Sequence, residues 1–124
     1  MKKLAILRKA DHSEQEVKHA LDAWIEKCQK LKDDNLNHIW KEQGGFPDWA
    51  RETLQAKWGP KFIKVWNVKH DGKISSIFAF VDKANGDIYK PAGVNAPAKH
   101  ACGNLFDESG GMKGMGPYGP AYLR

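Results

Sequence analysis

The segment from Lys90 to His100 carries the residues that are best suited to binding chemistry. Asn95-Ala96-Pro97-Ala98-Lys99-His100 has the cap and the early proline of a helix start, and the free backbone N–H groups there attract phosphate or carboxylate. Lys90, Lys99 and His100 add charge and hydrogen-bond donors, while Asn95 caps the helix or donates its amide. We therefore predict an anion site here. The alternative is an ordinary strand-to-helix loop with solvated lysines.

A second candidate lies in Phe78-Ala79-Phe80-Val81, which coincides with the centre of the RNP1 pattern of RNA-recognition motifs. In those motifs, exposed rings stack on bases. The match is partial, because Ser76 and Ile77 stand where the pattern has a basic residue and glycine. Phe78 and Phe80 are expected to share one strand face, so a buried sheet core is the alternative.

Tryptophan is frequent for a chain of this length and alternates with lysine. The rings are Trp24, Trp40, Trp49, Trp58 and Trp66, and the nearby lysines are Lys57, Lys61 and Lys64. Aromatic rings between lysines can sandwich a base, although small domains also fill their cores with tryptophan. We assign Trp66 and Phe80 to the candidate ligand site.

The sequence offers little for catalysis. The five histidines lie in different predicted elements, and no metal-ligand, nucleophile-elbow, phosphate-loop or paired-carboxylate motif is present. His100 and Cys102 are two residues apart, so on a helix they would point to different sides. We predict no catalytic residue, no metal and no cofactor. The alternative is a nuclease or nucleotide hydrolase that draws Glu, Asp and His from separate segments.

Length and composition favour a small intracellular domain. The 124 residues are 41% hydrophobic, which suffices for one compact core. Lys and Arg outnumber Asp and Glu by 20 to 15, giving a net charge of +5, which favours phosphate-bearing partners. No segment approaches the roughly 20 apolar residues that span a membrane. Only Cys28 and Cys102 are present, without disulfide-scaffold spacing, so we expect a reducing cytoplasm.

One helix is well defined by its pattern. Ser13-Glu14-Gln15-Glu16 forms a capping box, and an apolar stripe follows at spacings of three and four: Val17, Leu21, Trp24, Cys28 and Leu31. The stripe either packs on the domain's own sheet or pairs with another copy, which would make a homo-oligomer through the Val17–Leu31 helix. Asp33–Asn37 breaks the pattern.

Further helices are expected before the first strand. Leu36, Ile39 and Trp40 suggest a short helical turn that ends at Gly44-Gly45. Pro47 suits a first helical position, so Asp48–Trp58 is predicted as another helix, ended by Gly59-Pro60.

The period then changes to two, which predicts strands. The first runs from Lys61 to Val68, and after Asp71-Gly72 the second runs over Ile74–Lys83. Asn85-Gly86 predicts a type I′ hairpin to a third strand, Asp87–Lys90.

These elements predict an α+β fold, with N-terminal helices packed on a three-stranded antiparallel β-meander that a short helix follows. We expect a single domain over residues 1–124, with a helical part at 12–58, the meander and short helix at 61–106, and a glycine-rich tail at 107–124. The tail either packs through Tyr118, Tyr122 and Leu123 or becomes ordered on a partner.

Two runs, Ile77–Ala92 (IFAFVDKANGDIYKPA) and Ala96–Ala101 (APAKHA), resemble a group of short, mostly uncharacterised bacteriophage proteins. The resemblance covers about residues 61–106 and a tail like Tyr118–Leu123, and the first half looks peculiar to this chain. Cys102 stands where the family pattern has arginine. The resemblance implies phage origin and the host cytoplasm, but no particular activity.

Three functional hypotheses follow. The first is a non-enzymatic phage protein that binds a phosphorylated small molecule, most simply a nucleotide, and sequesters a host immune signal; this last step is an analogy with small phage sponges. The second is a single-stranded nucleic-acid-binding protein that uses Trp66, Phe78 and Phe80. The third is a protein–protein inhibitor that docks its Trp-rich helices onto a host enzyme.

Overall fold

The computed structural model describes residues 12–93 and 95–120. One helix, α1, spans Glu14–Ile39, and two 3-10 turns follow at Lys41–Gln43 and Asp48–Ala50. The strands are β1 (Thr53–Trp58), β2 (Phe62–Val68), β3 (Ile74–Asp82), β4 (Asp87–Tyr89), β5 (Pro91–Gly93), β6 (Ala96–Pro97), β7 (Gly103–Asn104), β8 (Met115–Gly116) and β9 (Gly119–Pro120). In this part of the chain, no helix is long and apolar enough to cross a membrane.

The strands form one main antiparallel sheet in the order β1-β2-β3-β4-β7, with β5-β6 and β8-β9 as separate two-stranded pairs. The predicted α+β class is confirmed. The predicted meander corresponds to β2, β3 and β4, which the sequence placed within a residue or two. The sheet is wider than predicted, because β1 and β7 extend it on either side.

Helix α1 begins where the capping box predicted. The Glu16 backbone N–H donates to Ser13 Oγ at 3.1 Å, and the Ser13 N–H donates to Glu16 Oε1 at 2.9 Å. The stripe residues Val17, Leu21 and Trp24 are at most 1% exposed, because the helix lies on its own sheet. Of the two alternatives for this stripe, packing on the domain's own sheet is the one that the structure shows.

The helix also continues through Asp33–Asn37, where a break was predicted. Polar side chains in this stretch bond to partners one turn away or on other elements, so they do not compete for the backbone of α1. Lys30 Nζ contacts Asp34 Oδ2 at 2.9 Å, and the Asp33 carboxylate accepts two bonds of 3.0 Å from Arg51. The helix ends at Ile39, and Gly44 in the left-handed region, with φ of +84°, closes the following 3-10 turn.

The predicted helix at Asp48–Trp58 is wrong. A single 3-10 turn occupies Asp48–Ala50, and the remainder is strand β1. β1 pairs with β2 over its whole length, from Thr53 opposite Val68 to Trp58 opposite Ile63. The backbone hydrogen bonds of this complete ladder stabilise the strand more than the weak helical propensity of these residues stabilises a helix.

The hairpin between β3 and β4 has four loop residues, Lys83–Gly86, instead of the predicted two. The Gly86 N–H donates to the Asp82 carbonyl at 2.8 Å, and Gly86 has a φ of +80°. Asp82 Oδ1 accepts the Ala84 N–H at 2.8 Å. The aspartate side chain thus satisfies the loop backbone, a local bond that favours the longer turn.

The helix predicted after β4 is absent from the described residues 95–106. Strands β5 and β6 form a small hairpin instead, and the Ala98 N–H donates to the Lys90 carbonyl at 2.7 Å. Ala96 precedes Pro97, and the residue before a proline avoids helical backbone. Farther on, the Cys102 N–H donates to the Ile88 carbonyl at 2.8 Å. The predicted anion site depended on free backbone N–H groups in this segment, and those of Ala98 and Cys102 already have carbonyl acceptors.

The glycine-rich tail completes the core. Gly111 is buried, and its carbonyl accepts the indole N–H of Trp24 at 3.0 Å. Gly119 and Pro120 are also buried, whereas Tyr118 is 80% exposed, so packing depends on the tail backbone more than on this tyrosine. Tyr122 and Leu123, the other predicted tail contacts, lie outside the described residues.

Candidate functional site

The face of the sheet that points away from α1, here called the outer face, carries aromatic rings and lysines. Its members are Gln55, Lys57, Phe62, Lys64, Trp66, Phe80 and Tyr89. They share one face because Lys64 lies opposite Lys57 on one side and Phe80 on the other, and Phe80 lies opposite Tyr89. The inner face carries aliphatic residues against the helix. The outer face is thus the surface of the sheet that is available for polar chemistry.

Lys64 is at the centre of the outer face. Its Nζ donates to Asn95 Oδ1 at 2.7 Å and lies 5.7 Å from the ring centroid of Trp66 and 5.9 Å from that of Phe80. A cation within about 6 Å of a ring face is attracted by the ring quadrupole. The amide and the two rings together hold the ammonium group in one place.

Lys90, one of the residues predicted for the site, directly follows β4, and the other five fall into two groups. Trp66, Phe80 and Asn95 are brought together around Lys64. Lys99 and His100 are exposed in the bend that follows β6, next to the Ala98–Lys90 backbone bond. Asn95 therefore contacts a lysine of the sheet and caps no helix.

Lys64 itself was named in the sequence only as one of several lysines near tryptophan. A signal for it was present in the alternation of Phe62, Lys64 and Trp66, which places all three on one face of β2. Its hydrogen bond to Asn95, 31 residues later, has no sequence signal because it joins two distant segments.

Phe78 and Phe80 do not share a face, contrary to the prediction. Val65 pairs with Ala79 and Trp66 with Ile77, so Phe78 is an extra residue in β3 at a bulge. The bulge turns Phe78 inward, where its centroid lies 6.0 Å from that of Trp24. Both phenylalanines are 1% exposed. Neither ring offers the open face that an RNP1-type base stack requires.

A cleft of about 330 Å³ adjoins the outer face beside Trp66. Thr53 and Gln55 of β1 line it, and Gln55 lies directly opposite Trp66. Lys69 and His70, both exposed, also line it. Its volume is at the lower end of the range of small-ligand sites, which is about 300–1,000 Å³. The aromatic face therefore continues into a recess lined mostly by polar and charged side chains.

The guanidinium of Arg51 lies on the same recess. Its Nε and Nη2 donate to the Asp33 carboxylate, each at 3.0 Å, and these bonds raise the pKa of Arg51 above its ordinary value. This pair is a fixed structural link between α1 and the start of β1. Asp48 also lines the recess, so its charge is mixed.

The two thiols lack the environment of a nucleophile. Burial raises the pKa of Cys28 to about 12. Burial also raises the pKa of Cys102, whose Sγ donates to the Ile88 carbonyl at 3.4 Å. Activated cysteines have lowered pKa values, because the thiolate is the reactive form. Within residues 12–93 and 95–120, no group of three or more His, Cys, Asp or Glu is placed to hold a metal ion.

The structure thus defines a class: a small α+β domain with one long helix against a five-stranded antiparallel sheet whose outer face is aromatic and basic. A family model described as a family of unknown function, DUF7717, matches residues 5–116, and the chain belongs to that family. The match includes α1, so the first half of the chain is not peculiar to it. No curated protein and no solved structure matches the chain.

Proposed function

We propose that this protein is a non-enzymatic binder of a phosphorylated small molecule, most simply a nucleotide, on the outer face of its sheet. One observation carries the proposal: the ammonium group of Lys64 is held over Trp66 by Asn95. Because the ammonium group is already held in position, it loses little conformational entropy when it binds an anion, and this raises the affinity.

The expected arrangement has two parts. A ligand phosphate accepts from Lys64, with Lys99 and His100 of the neighbouring bend as further donors. The base or another flat group lies on the half-buried ring of Trp66, while Phe80 forms the floor below and does not stack on the ligand. Lys90 lies at the end of β4 beside the same bend.

Binding without turnover is favoured by the chemistry of the side chains. Both thiols have raised pKa values, so neither is a ready nucleophile at neutral pH. A wider role, in which the protein sequesters a nucleotide immune signal in the cytoplasm of a phage-infected host, is part of the same proposal. That role is supported by the resemblance to short bacteriophage proteins.

Isothermal titration with AMP, ATP, cyclic AMP and cyclic di-AMP tests the proposal. At least one nucleotide is expected to bind, and Lys64→Gln is expected to weaken it about tenfold, the value of one charge-assisted hydrogen bond. Lys30→Gln is the matched control, because Lys30 has the same charge and lies 75% exposed on α1. Failure of all four nucleotides to bind, or equal weakening by both variants, would refute the proposal.

A salt series separates a small ligand from single-stranded nucleic acid. Binding of a single nucleic-acid strand displaces counterions from its phosphates, so the affinity falls as salt is added. In a plot of log affinity against log salt concentration, the slope is about −0.7 for each contacted phosphate. With Phe78 turned inward and Phe80 buried, Trp66 is the one half-exposed ring of the three that strand binding was predicted to use. We therefore expect the shallow salt dependence of a small ligand.

A further inference from the structure

A second surface, at the C-terminal end of α1, combines exposed apolar side chains with a small cleft. Ile39 is 55% exposed, Trp49 is 66% exposed and Tyr118 is 80% exposed. Ile39 and Tyr118 line a cleft of about 100 Å³ whose walls also include Leu36 and Pro117. Large exposed rings beside a recess are typical of protein–protein contact surfaces.

The cleft has a polar group at one side that is incompletely bonded. The side chain of Lys32 is only 10% exposed, and its Nζ lies 3.5 Å from Glu52 Oε1, longer than the 2.7–2.9 Å of a strong charged hydrogen bond. An ammonium group has three donors, and among the described residues Glu52 is its hydrogen-bond acceptor. The same Nζ lies 5.7 Å from the ring centroid of Phe78. Both Lys32 and Glu52 line the cleft.

We propose that this cleft docks a protein partner through one aliphatic side chain, with the backbone N–H and C=O of that same extended residue bonded to Glu52 and Lys32. The ammonium of Lys32 donates to the carbonyl of the inserted residue, and the carboxylate of Glu52 accepts the N–H of the same residue, because both backbone groups of an extended residue point to one side. Leu36, Ile39 and Tyr118 surround the inserted side chain.

The volume of the cleft argues for an anchor instead of a free ligand. At about 100 Å³ it is well below the range of small-molecule sites, about 300–1,000 Å³, and it holds roughly the volume of three waters. One branched aliphatic side chain fills such a space. The exposed rings of Trp49 and Tyr118 then cover the flanking surface of the partner, as aromatic anchors do in protein interfaces.

The charges of the cleft argue for a neutral occupant. A free anion near Lys32 would also meet the carboxylate of Glu52, and a free cation would meet the ammonium of Lys32. The backbone of an extended residue presents one donor and one acceptor on the same side and has no net charge, so it complements both members of the pair. This cleft shares no residue with the outer face, so the peptide-docking proposal and the nucleotide-binding proposal can be tested independently.

Blocked tripeptides provide the probe. The peptide acetyl-Ala-Leu-Ala-amide is titrated into the ¹⁵N-labelled full chain and compared with acetyl-Ala-Ala-Ala-amide. The leucine peptide is expected to shift the Trp49 indole N–H saturably with a Kd of about 1 mM, the affinity of a weak single anchor. The alanine peptide is expected to bind at least about tenfold more weakly, because it leaves the cleft unfilled. Equal binding of both peptides, or no saturable shift, would overturn the proposal.

Two matched variants locate the binding. Ile39→Lys is expected to abolish the response, whereas Ile74→Lys, at a site with 56% exposure against 55%, is expected to retain it. Lys32→Met keeps the apolar walls and is expected to weaken binding about tenfold through loss of the donor, with circular dichroism to show that the variant folds. Retention of binding in Ile39→Lys overturns the proposal. So does sedimentation of the peptide-free protein as a dimer that Ile39→Lys dissociates, since a second copy would then fill the cleft.

Discussion

Gly111 shows how a single residue controls the closure of the core. Its carbonyl accepts the Trp24 indole N–H, and its φ of +87° is in the left-handed region, which other residues rarely adopt. A Cβ atom there would lie 2.7 Å from Trp24 Cδ1 and 2.9 Å from Ile88 Cδ1. Glycine is therefore required both for the backbone conformation and for space between two fully buried side chains.

Gly111→Ala is expected to destabilise the fold more than Gly72→Ala does. Gly72 has a nearly identical φ of +89° but nothing within 4 Å of the added Cβ, so it reports the backbone cost alone, about 1 kcal/mol. The overpacking at Gly111 adds about 1–3 kcal/mol. Urea unfolding of both variants measures the difference in free energy of unfolding. Equal losses would show that the tail does not pack against Trp24 as described.

Cys28 is expected to resist thiol reagents in the folded protein. Burial raises the pKa of its thiol to about 12, so almost no thiolate exists at pH 8, and the side chain is fully buried. Ellman's reagent should therefore react with Cys28 only after the chain is unfolded, while Cys102, which is partly exposed, reacts slowly in the native state. Rapid native modification of Cys28, located by peptide mass mapping, would contradict the packing of α1.

At the scale of elements, a single helix side chain joins α1 to the edge strand of the sheet. Gln29 Oε1 accepts the Leu54 N–H at 2.9 Å, and Gln29 Nε2 donates to the Glu52 carbonyl at 2.9 Å. The ion pair between Arg51 and Asp33 reinforces the same junction. The backbone of β1 thus bonds to the backbone of β2 on one edge and to the Gln29 side chain of α1 on the other.

Gln29→Met is expected to lower the free energy of unfolding by about 1–3 kcal/mol, because it leaves the Leu54 N–H and the Glu52 carbonyl without these partners. The amide proton of Leu54 should also exchange faster with solvent, which NMR hydrogen exchange measures. Gln15→Met on the exposed side of α1 is the control and should have little effect. If Leu54 exchanges at the same rate in both variants, Gln29 does not hold the strand.

At the scale of the whole molecule, two carboxylates link stability to acid pH. Burial tends to raise the pKa of Asp107, but hydrogen bonds from Gly111 and Ser109 outweigh it and lower this pKa below its ordinary value. Burial acts in the same way on Asp33, and bonds from Arg51 and Gln29 likewise lower its pKa. Asp33 joins α1 to the residue pair before β1, whereas Asp107 holds the local turn over residues 107–111, in which Gly111 contacts Trp24.

Because these pKa values are lower in the folded state than in the unfolded state, the stabilisation is complete above the unfolded pKa of about 3.9 and is lost as the pH falls through the folded values. The melting temperature is therefore expected to fall below about pH 4. Asp107→Asn should start from a lower stability at neutral pH and lose less of it on acidification. Thermal melts at a series of pH values test this, and parallel curves for parent and variant would exclude a role for Asp107.

Some parts of this fold were encoded by neighbours in the chain. The capping box at Ser13 and Glu16 and the apolar stripe after it predicted α1, because caps and helical periodicity involve residues three or four apart. The alternation in β2 and β3 and the turn at Asp71-Gly72 predicted a hairpin for the same reason. Trp66 and Asn95 were named as candidate site residues from residue type and local pattern; both contact Lys64, and their role in binding stays a prediction.

What the tertiary structure decided depends on partners that lie far away in sequence. β1 is a strand because it pairs with β2, and Phe78 faces inward because a bulge in that pairing turns it. The proline-containing segment after β4 forms a hairpin on the sheet, which removed the predicted helix and moved the candidate anion site to Lys64. The sequence by itself determined the fold class and supplied the residue types of the candidate site. Only long-range pairing determined which of those residues meet, because no local pattern specifies a contact across 31 residues.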